Sequence, residues 1–476
     1  MQRHLRAFSI LGVLLGVCAP RLLSAQAAQN PTPSVFGPWD GSIQVANVSL
    51  AAHVVFTEAL DGVRATIDIP QQRAMGRPLS EVKIIGRSVH FELVTGGPLA
   101  VFDGRIAGDS IAGTFMQGAV AGTFSLTRTR VQPAPPYREE EVSVTNGDIT
   151  LAGTLTIPRG TGPFPVAVLI TGSGPQDRDE DVLGFKVFRV IADYLTRQGV
   201  AVYRYDDRGV GRSTGRLDVA TTADLAGDAL AAIAKLKTRT DIDGRHIGLL
   251  GHSEGATAAA IAAGRSSDVA FAVLLAGPGL TGAEVTRQQA ADGARSLGAD
   301  EETITRIVSA HRKLTEAIAA SGAPGNPGNS DALDSAVKEL IGAQFDSQPA
   351  AQRAALGDRQ AFIDRNYRQA AAQLTSPSMK FLMGFDPATA LRQVSCPVLA
   401  LFGSLDMQVP PAQNQAPVRA ALAANARATV KVYDGANHLF QAARTGLVTE
   451  YATLDKAFVP GLLDEVSGWI RQVAAR

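Results

Sequence analysis

Residues 247–258 read Ile247-Gly248-Leu249-Leu250-Gly251-His252-Ser253-Glu254-Gly255-Ala256-Thr257-Ala258. An apolar run of strand type, Ile247 to Leu250, passes through Gly251-x-Ser253-x-Gly255 into an alanine-rich helical run that continues to Ala263. G-x-S-x-G between a strand and a helix is the pattern of a nucleophile elbow. The turn is so tight that the residues two before and two after the serine can carry almost no side chain. Ser253 would then project above the sheet, with the Glu254 N–H aimed at a developing oxyanion.

A nucleophilic serine needs a base and a group to orient it. Beyond His4 the histidines are His53, His90, His246, His252, His311 and His438. His53 and His90 fall in a β-patterned region and read as surface or packed strand residues. His246 precedes the strand, and His252 stands beside the serine, where it cannot face its hydroxyl. His311 lies on a helical pattern and reads as exposed. His438, in Gly435-Ala436-Asn437-His438, follows the last strand and is the candidate base. Asp406, in Gly403-Ser404-Leu405-Asp406 directly after the strand Val398 to Phe402, is the candidate acid; Asp434 competes but reads as a loop cap. The order Ser253, Asp406, His438 is that of α/β-hydrolases. A second oxyanion donor is expected after the strand Val166 to Ile170, where Thr171-Gly172-Ser173-Gly174-Pro175 follows; the Ser173 N–H is the candidate. Asp177, Arg178, Asp179 and Glu180 read as a loop-fixing ion network.

Around these residues apolar strands alternate with helical patterns. Strands are expected at 166–170, 200–205, 247–250, 270–275, 398–402 and 428–432, and helices near 184–198, 221–237, 254–264 and 455–474. This predicts a mostly parallel sheet with helices on both faces. A hairpin signal, Asn146-Gly147-Asp148, introduces it. Residues 281–390 interrupt the alternation and are expected to form a helical cap over the sheet edge where ligands bind. Ser321 to Ser330 would be a flexible loop within it. Tyr205-Asp206-Asp207-Arg208-Gly209-Val210-Gly211-Arg212-Ser213 reads as a structural loop beneath the site, since it lacks the spacing of a phosphate-binding loop. No H-E-x-x-H or C-x-x-C occurs, so neither a metal nor another cofactor is implied.

Upstream the texture differs. From about 30 to 130 short alternating runs such as Val89-His90-Phe91-Glu92-Leu93 are punctuated by Gly-rich turns, which predicts a small all-β domain, a sandwich or partial barrel. Pro133-Ala134-Pro135-Pro136 marks a stiff linker over 131–139 before a catalytic domain at 140–476. Residues 1–27 resemble an export signal, with Arg3 and Arg6, a short apolar stretch from Phe8 to Val17, and Ala25-Gln26-Ala27 as a cleavage site. The apolar stretch is too short for an anchor, and Val17 is too bulky before Cys18 for a lipidation site. A periplasmic or secreted protein is therefore expected, without a membrane span after cleavage. The 476 residues carry 45 basic and 45 acidic side chains, which leaves no electrostatic footprint for nucleic acid. Loss of the signal would leave Cys396 as the only cysteine, excluding an intrachain disulfide. Oligomeric state is not legible.

The stretches T-G-S-G-P-Q-D-R-D-E (171–180), Y-D-D-R-G-V-G-R-S (205–213), G-H-S-E-G (251–255), P-V-L-A-L-F-G-S-L-D-M-Q-V (397–409) and G-A-N-H-L-F (435–440) together resemble bacterial α/β-hydrolase carboxylesterases with a β-rich N-terminal domain. The resemblance implies hydrolysis of small carboxylic esters by Ser253, Asp406 and His438. One departure is that the loop usually opening His-Gly opens here with Thr171-Gly172. A serine exopeptidase on the same fold is the main rival. It would need an acidic site in the cap, for which Glu284, Asp292, Asp300, Glu301 and Glu302 are available. A non-catalytic binding protein is a more distant alternative. Phe381, Leu382, Met383 and Phe385 end the cap and are candidates for an acyl pocket.

Overall fold

The computed structural model describes residues 35–45, 48–59, 62–72, 74–94, 97–129, 135–321 and 330–475. The expected export signal lies outside them, as does most of the expected cap loop. The chain divides into two units, Met1–Pro133 and Ala134–Arg476.

In the first unit nine strands between Gly37 and Arg128 form one sheet in which every pairing is antiparallel. Its first strand, Gly37–Val45, pairs with both the second and the ninth. Period-two alternation sends Val89, Phe91 and Leu93 inward and leaves His90 and Glu92 half-exposed. Phe91, in the sixth strand, packs against Phe56 of the second at 5.9 Å and Phe124 of the ninth at 5.6 Å. Strands far apart in the sheet order thus share one core, so the sheet curls on itself like a barrel; of the two expected forms, this is the barrel and not the sandwich.

The second unit opens with the expected hairpin, β1 (Tyr137–Asn146) and β2 (Ile149–Pro158), joined through Gly147 at φ 58. Tyr137 already pairs with Pro158, so the linker expected over 131–139 is cut short by strand pairing from Tyr137 onward. Then come β3 (Phe164–Ile170), β4 (Ala201–Tyr205), β5 (Ile242–His252), β6 (Ala272–Leu275), β7 (Val398–Gly403) and β8 (Ala428–Tyr433). Their order across the sheet is β1-β2-β4-β3-β5-β6-β7-β8, with β3 to β8 parallel. This is the α/β-hydrolase fold that the sequence predicts. Strand β5 begins five residues earlier than expected, which places His246 inside it, bonded to Asp243.

Helices α1 (Val187–Arg197), α2 (Thr222–Leu236) and α3 (Glu254–Arg265) flank the sheet. Between β6 and β7 the chain forms the cap: α4 (Gly282–Ser296), α5 (Glu301–Ser321), α6 (Ser330–Asp346), α7 (Ala350–Leu356), α8 (Arg359–Leu374), α9 (Pro377–Gly384) and α10 (Pro387–Leu391). Two more flanking helices, α11 (Pro411–Ala421) and α12 (Leu462–Ala474), complete the unit. The core of the sheet lies in two layers, one on each face. Ala226, Ala229, Ile233, Val418 and most of α3 pack on one side. Phe188, Ile191, Leu195, Val466 and Ile470 pack on the other. Helix α12 starts later than its apolar pattern because Pro460-Gly461 intervenes, with Gly461 at φ 83. The cap has its own core around Ile307, Leu314, Val337 and Ile341. His311 is half-buried in the cap rather than exposed; burial, with Arg287 nearby, pulls its pKa down to about 4.

Candidate active site

Ser253 sits between β5 and α3 at φ 55 and ψ −118, a backbone conformation that side chains seldom adopt. Its N–H donates to Leu275 O at 2.8 Å, locking the turn to the neighbouring strand. The glycines on either side are sterically required. A Cβ on Gly251 would lie 2.1 Å from Gly255 O, and one on Gly255 would lie 2.1 Å from Ile170 O. Glu254 is the first residue of α3, so its N–H has no intrahelical partner and sits at the positive end of the helix. The Glu254 carboxylate is held by the Thr222 hydroxyl at 2.6 Å.

His438 and Asp406 meet across two loops at the same sheet edge. His438 Nδ1 lies 2.8 Å from Asp406 Oδ2, and both side chains are buried. The other Asp406 oxygen accepts from the Gln408 and Val409 N–H groups, each at 2.8 Å. This carboxylate is therefore fixed in orientation, and its bond to Nδ1 leaves Nε2 as the ring nitrogen available for proton transfer. The loops are close because Gly403 packs on the Ala436 and Asn437 carbonyls, at 2.4 and 2.6 Å from where its Cβ would be. Asp434 is engaged elsewhere, accepting from Ser404 Oγ at 3.1 Å.

The loop after β3 approaches the serine from the other side. An ideal Cβ on Gly172 would lie 3.4 Å from Ser253 Cβ and 3.3 Å from Glu180 Oε1. The Gly172 N–H donates to Glu180 Oε1 at 2.7 Å, whereas Ser173 turns out into the cavity beside Ser253. Thr171, where the resemblance leads one to expect histidine, donates its hydroxyl to Asp207 Oδ1 at 2.7 Å. Burial raises the Asp207 pKa to about 7, against the pull of the Thr171 and Gln176 hydrogen bonds and with help from the nearby Glu180 and Glu254 carboxylates. Arg178 bridges Asp206 and Glu141, and Asp179 pairs with buried Arg204, so this part of the loop is the ion network expected. Glu180 is not part of it. Its partners are Gly172 and His252, whose Nδ1 lies 2.9 Å from Glu180 Oε1.

Ser253, Glu254, Ser173 and His438 all line one cavity of about 410 Å³. Its far wall is apolar and comes from the cap and its entry, including Leu280, Val285, Met379, Leu382, Met383 and Phe385. Phe381, also a candidate, instead stacks on Phe385 and packs against the sheet core. The cap is tied to the acid loop by Gln289 Nε2, 2.6 Å from Gln408 O, and to α11 by Gln413 Nε2, 3.1 Å from Glu284 O. None of the five cap acids lines the cavity. Glu284 closes a capping box with Thr281, Asp292 pairs with Arg295, and Asp300 caps α5 through Thr303 N.

Sequence patterns assign Glu180, His252 and Gln289 no part in this site. Apart from the Glu180 bond to Gly172, the contacts that bring them here span 72 residues or more, and no local motif announces such pairs.

Two family descriptions match the chain: Serine aminopeptidase, S33, over residues 185–321, and Dienelactone hydrolase family, over residues 385–458. The first span contains Ser253 and the second contains Asp406 and His438. Esterase EstD of Thermotoga maritima is 27% identical over 369 residues, covering 74% of each chain. Among solved structures, an esterase of Pyrococcus furiosus, Pf2001, aligns with 72% of this chain and 98% of its own at 13% identity and a TM-score of 0.41.

Proposed function

We propose that this chain, which belongs to the α/β-hydrolase superfamily, hydrolyses carboxylic esters through Ser253, His438 and Asp406 by way of an acyl-enzyme. It is a hydrolase of esterase type. The observation that carries the finer reading is one cavity lined by Ser253 in its strained turn and by His438, whose ring is oriented by the buried Asp406 carboxylate, with Glu254 and Ser173 on the same lining.

In this mechanism Ser253 Oγ attacks the ester carbonyl while His438 Nε2 takes its proton. The carbonyl oxygen becomes an oxyanion facing the Glu254 and Ser173 N–H groups, each such donor contributing about 3–4 kcal/mol to the transition state. Collapse breaks the carbonyl–alkoxy bond, and the departing oxygen takes the proton from His438. A water then gives its proton to His438 and attacks the acyl-serine. The second collapse releases the acid and returns the proton to Ser253. Asp406 holds the tautomer with hydrogen on Nδ1 and stabilises the transient imidazolium.

The apolar cap wall favours an uncharged acyl group. Placement of the cap acids outside the cavity supports an ester substrate over a peptide with a free amino terminus. The test is turnover of nitrophenyl acyl esters and of amino-acid or dipeptide nitroanilides by the full chain and by Ser253→Ala. Ester turnover reduced on the order of 10⁴-fold by the substitution is expected. Preferential cleavage of the nitroanilides would move the assignment to an exopeptidase, and ester turnover unchanged by Ser253→Ala would overturn the role of the serine.

A further inference from the structure

We propose that Glu180 and His252 are positioning residues, a buried pair that ties the oxyanion loop to the loop carrying His438 and so keeps donor and base in register across Ser253. The proposal rests on the esterase reading of the site.

The connection is a continuous chain of short bonds. The Gly172 N–H donates to Glu180 Oε1 at 2.7 Å. The same oxygen meets His252 Nδ1 at 2.9 Å. His252 Nε2 in turn lies 3.0 Å from the backbone oxygen of His438. Three segments that are distant in sequence, after β3, at the elbow and after β8, are thereby joined around the serine. The His252 and His438 rings lie 4.7 Å apart.

The protons constrain the pair. A carbonyl oxygen only accepts, so His252 Nε2 must carry hydrogen. The Nδ1 contact with the Glu180 carboxyl needs a second proton, shared between the two groups, so the pair is neutral as a whole. Burial pulls the His252 pKa down, but the Glu180 carboxyl together with the His438 backbone oxygen and the Asp406 carboxylate outweighs it, and the pKa is raised. Among the groups that favour the second proton on this pair, the Glu180 carboxyl contributes most.

Packing alone would not call for such a pair. Both side chains are buried, and Glu180 Oε2 has no hydrogen-bond partner among the described residues. A buried polar atom without a partner is destabilising; an apolar pair of similar volume would avoid that one but would take these partners from the Gly172 N–H and the His438 carbonyl oxygen. What the polar pair adds is fixed direction at both ends. At one end lies the peptide preceding the Ser173 donor, and at the other the backbone of the base. Displacing either group by a fraction of its reach to the reacting carbon slows the chemical step without weakening substrate binding.

The experiment uses the full chain with Glu180→Gln, His252→Asn and the double variant. Glu180→Gln keeps an acceptor for the Gly172 N–H but removes the carboxyl that shares the second proton with His252. His252→Asn retains a donor near the Nδ1 position and loses the bond to His438. Active sites are counted by stoichiometric reaction with a nitrophenyl alkylphosphonate, so kcat refers only to folded enzyme. Each single substitution is expected to lower kcat per titrated site about 10- to 100-fold, with KM within about threefold of the unsubstituted chain. The double variant should fall no more than about threefold below the worse single, because both substitutions cut one chain of bonds. Unchanged kcat per titrated site in either single, a loss confined to KM, or multiplicative losses in the double would each overturn the proposal. Ser253→Ala separates the two readings. If it is inactive while both single variants turn over normally, the positioning role alone fails; if it turns over normally, the esterase mechanism itself fails.

Discussion

Ser253 can hold φ 55 because its two flanking glycines remove every side chain from the inside of the turn. Gly255→Ala would place a methyl 2.1 Å from Ile170 O and 2.5 Å from Thr171 O, both backbone atoms that cannot swing aside. It is expected to destabilise the fold by about 1–3 kcal/mol and to remove ester turnover, measured by urea unfolding and by rate. A variant as stable and active as the parent would contradict the tight elbow. Asp207 offers a test of burial through pH. Its pKa is raised to about 7 in the fold by burial, and an exposed aspartate titrates near 3.9. The fold therefore binds this proton more tightly than the unfolded chain does. Its contribution is fully present below about pH 4 and is lost as pH rises towards 7. Asp207→Asn should remove that loss, so its stability relative to the parent is expected to increase between pH 4 and 7 by on the order of a few kcal/mol and then level off. Parallel stability curves across this range would contradict it. At this scale Ser253, Asp406 and His438 were legible because each follows an apolar strand in a loop of small residues. Glu180 was not, because a carboxylate among Asp177, Arg178 and Asp179 looks like any other charged loop residue until its partner 72 positions away is known.

The elements divide the work between sheet and cap. Strand ends and the elbow place the polar groups, while α9 and the start of α4 supply the apolar wall. Leu382→Trp should therefore fill acyl space without touching Ser253. Turnover of longer acyl esters is expected to fall 10-fold or more in kcat/KM while acetyl esters are spared, since each methylene in an apolar pocket is worth about 1–3 kcal/mol. Equal loss for every chain length would place the acyl group elsewhere. The apolar strands were legible element by element, with ends off by a few residues. The exception was β5, whose charged first half, Ile242 to His246, hides its strand character; of that half only Ile242 is in register with β3, opposite Phe164, and the register shifts before Ile247. The cap was legible as helical, but which of its residues face the cavity was not: Phe381 packs on the core, and Met379, two positions earlier, lines the site.

The molecule consists of a curled β unit and a hydrolase unit, and every residue of the candidate site belongs to the second. A chain beginning at Ala134 is expected to fold and to retain kcat for small nitrophenyl esters within about threefold, because that unit has its own core and contains all the residues proposed for catalysis. Loss of soluble, active protein on this truncation would show that the β unit is needed for the hydrolase unit itself. Export, proposed from residues 1–27, is checked by the mass of the protein recovered from cells: a mature chain starting at Ala28 is expected, and an intact Met1 terminus in the periplasm or medium would refute cleavage. The amino-acid sequence by itself determined the two-unit organisation, the parallel sheet, the helical cap and the three residues proposed for catalysis. Those features are written in local patterns: the spacing of apolar residues, glycines where a turn must be tight, and polar residues just beyond strand ends. Only the tertiary structure decided how the nine-stranded sheet closes, which cap side chains line the cavity, and that Glu180 and His252 join the oxyanion loop to His438. Those depend on groups far apart in the chain that the fold brings together, such as the 72 residues between Glu180 and His252 and the 186 between His252 and His438, and contacts over such separations leave no periodic trace in the order of residues.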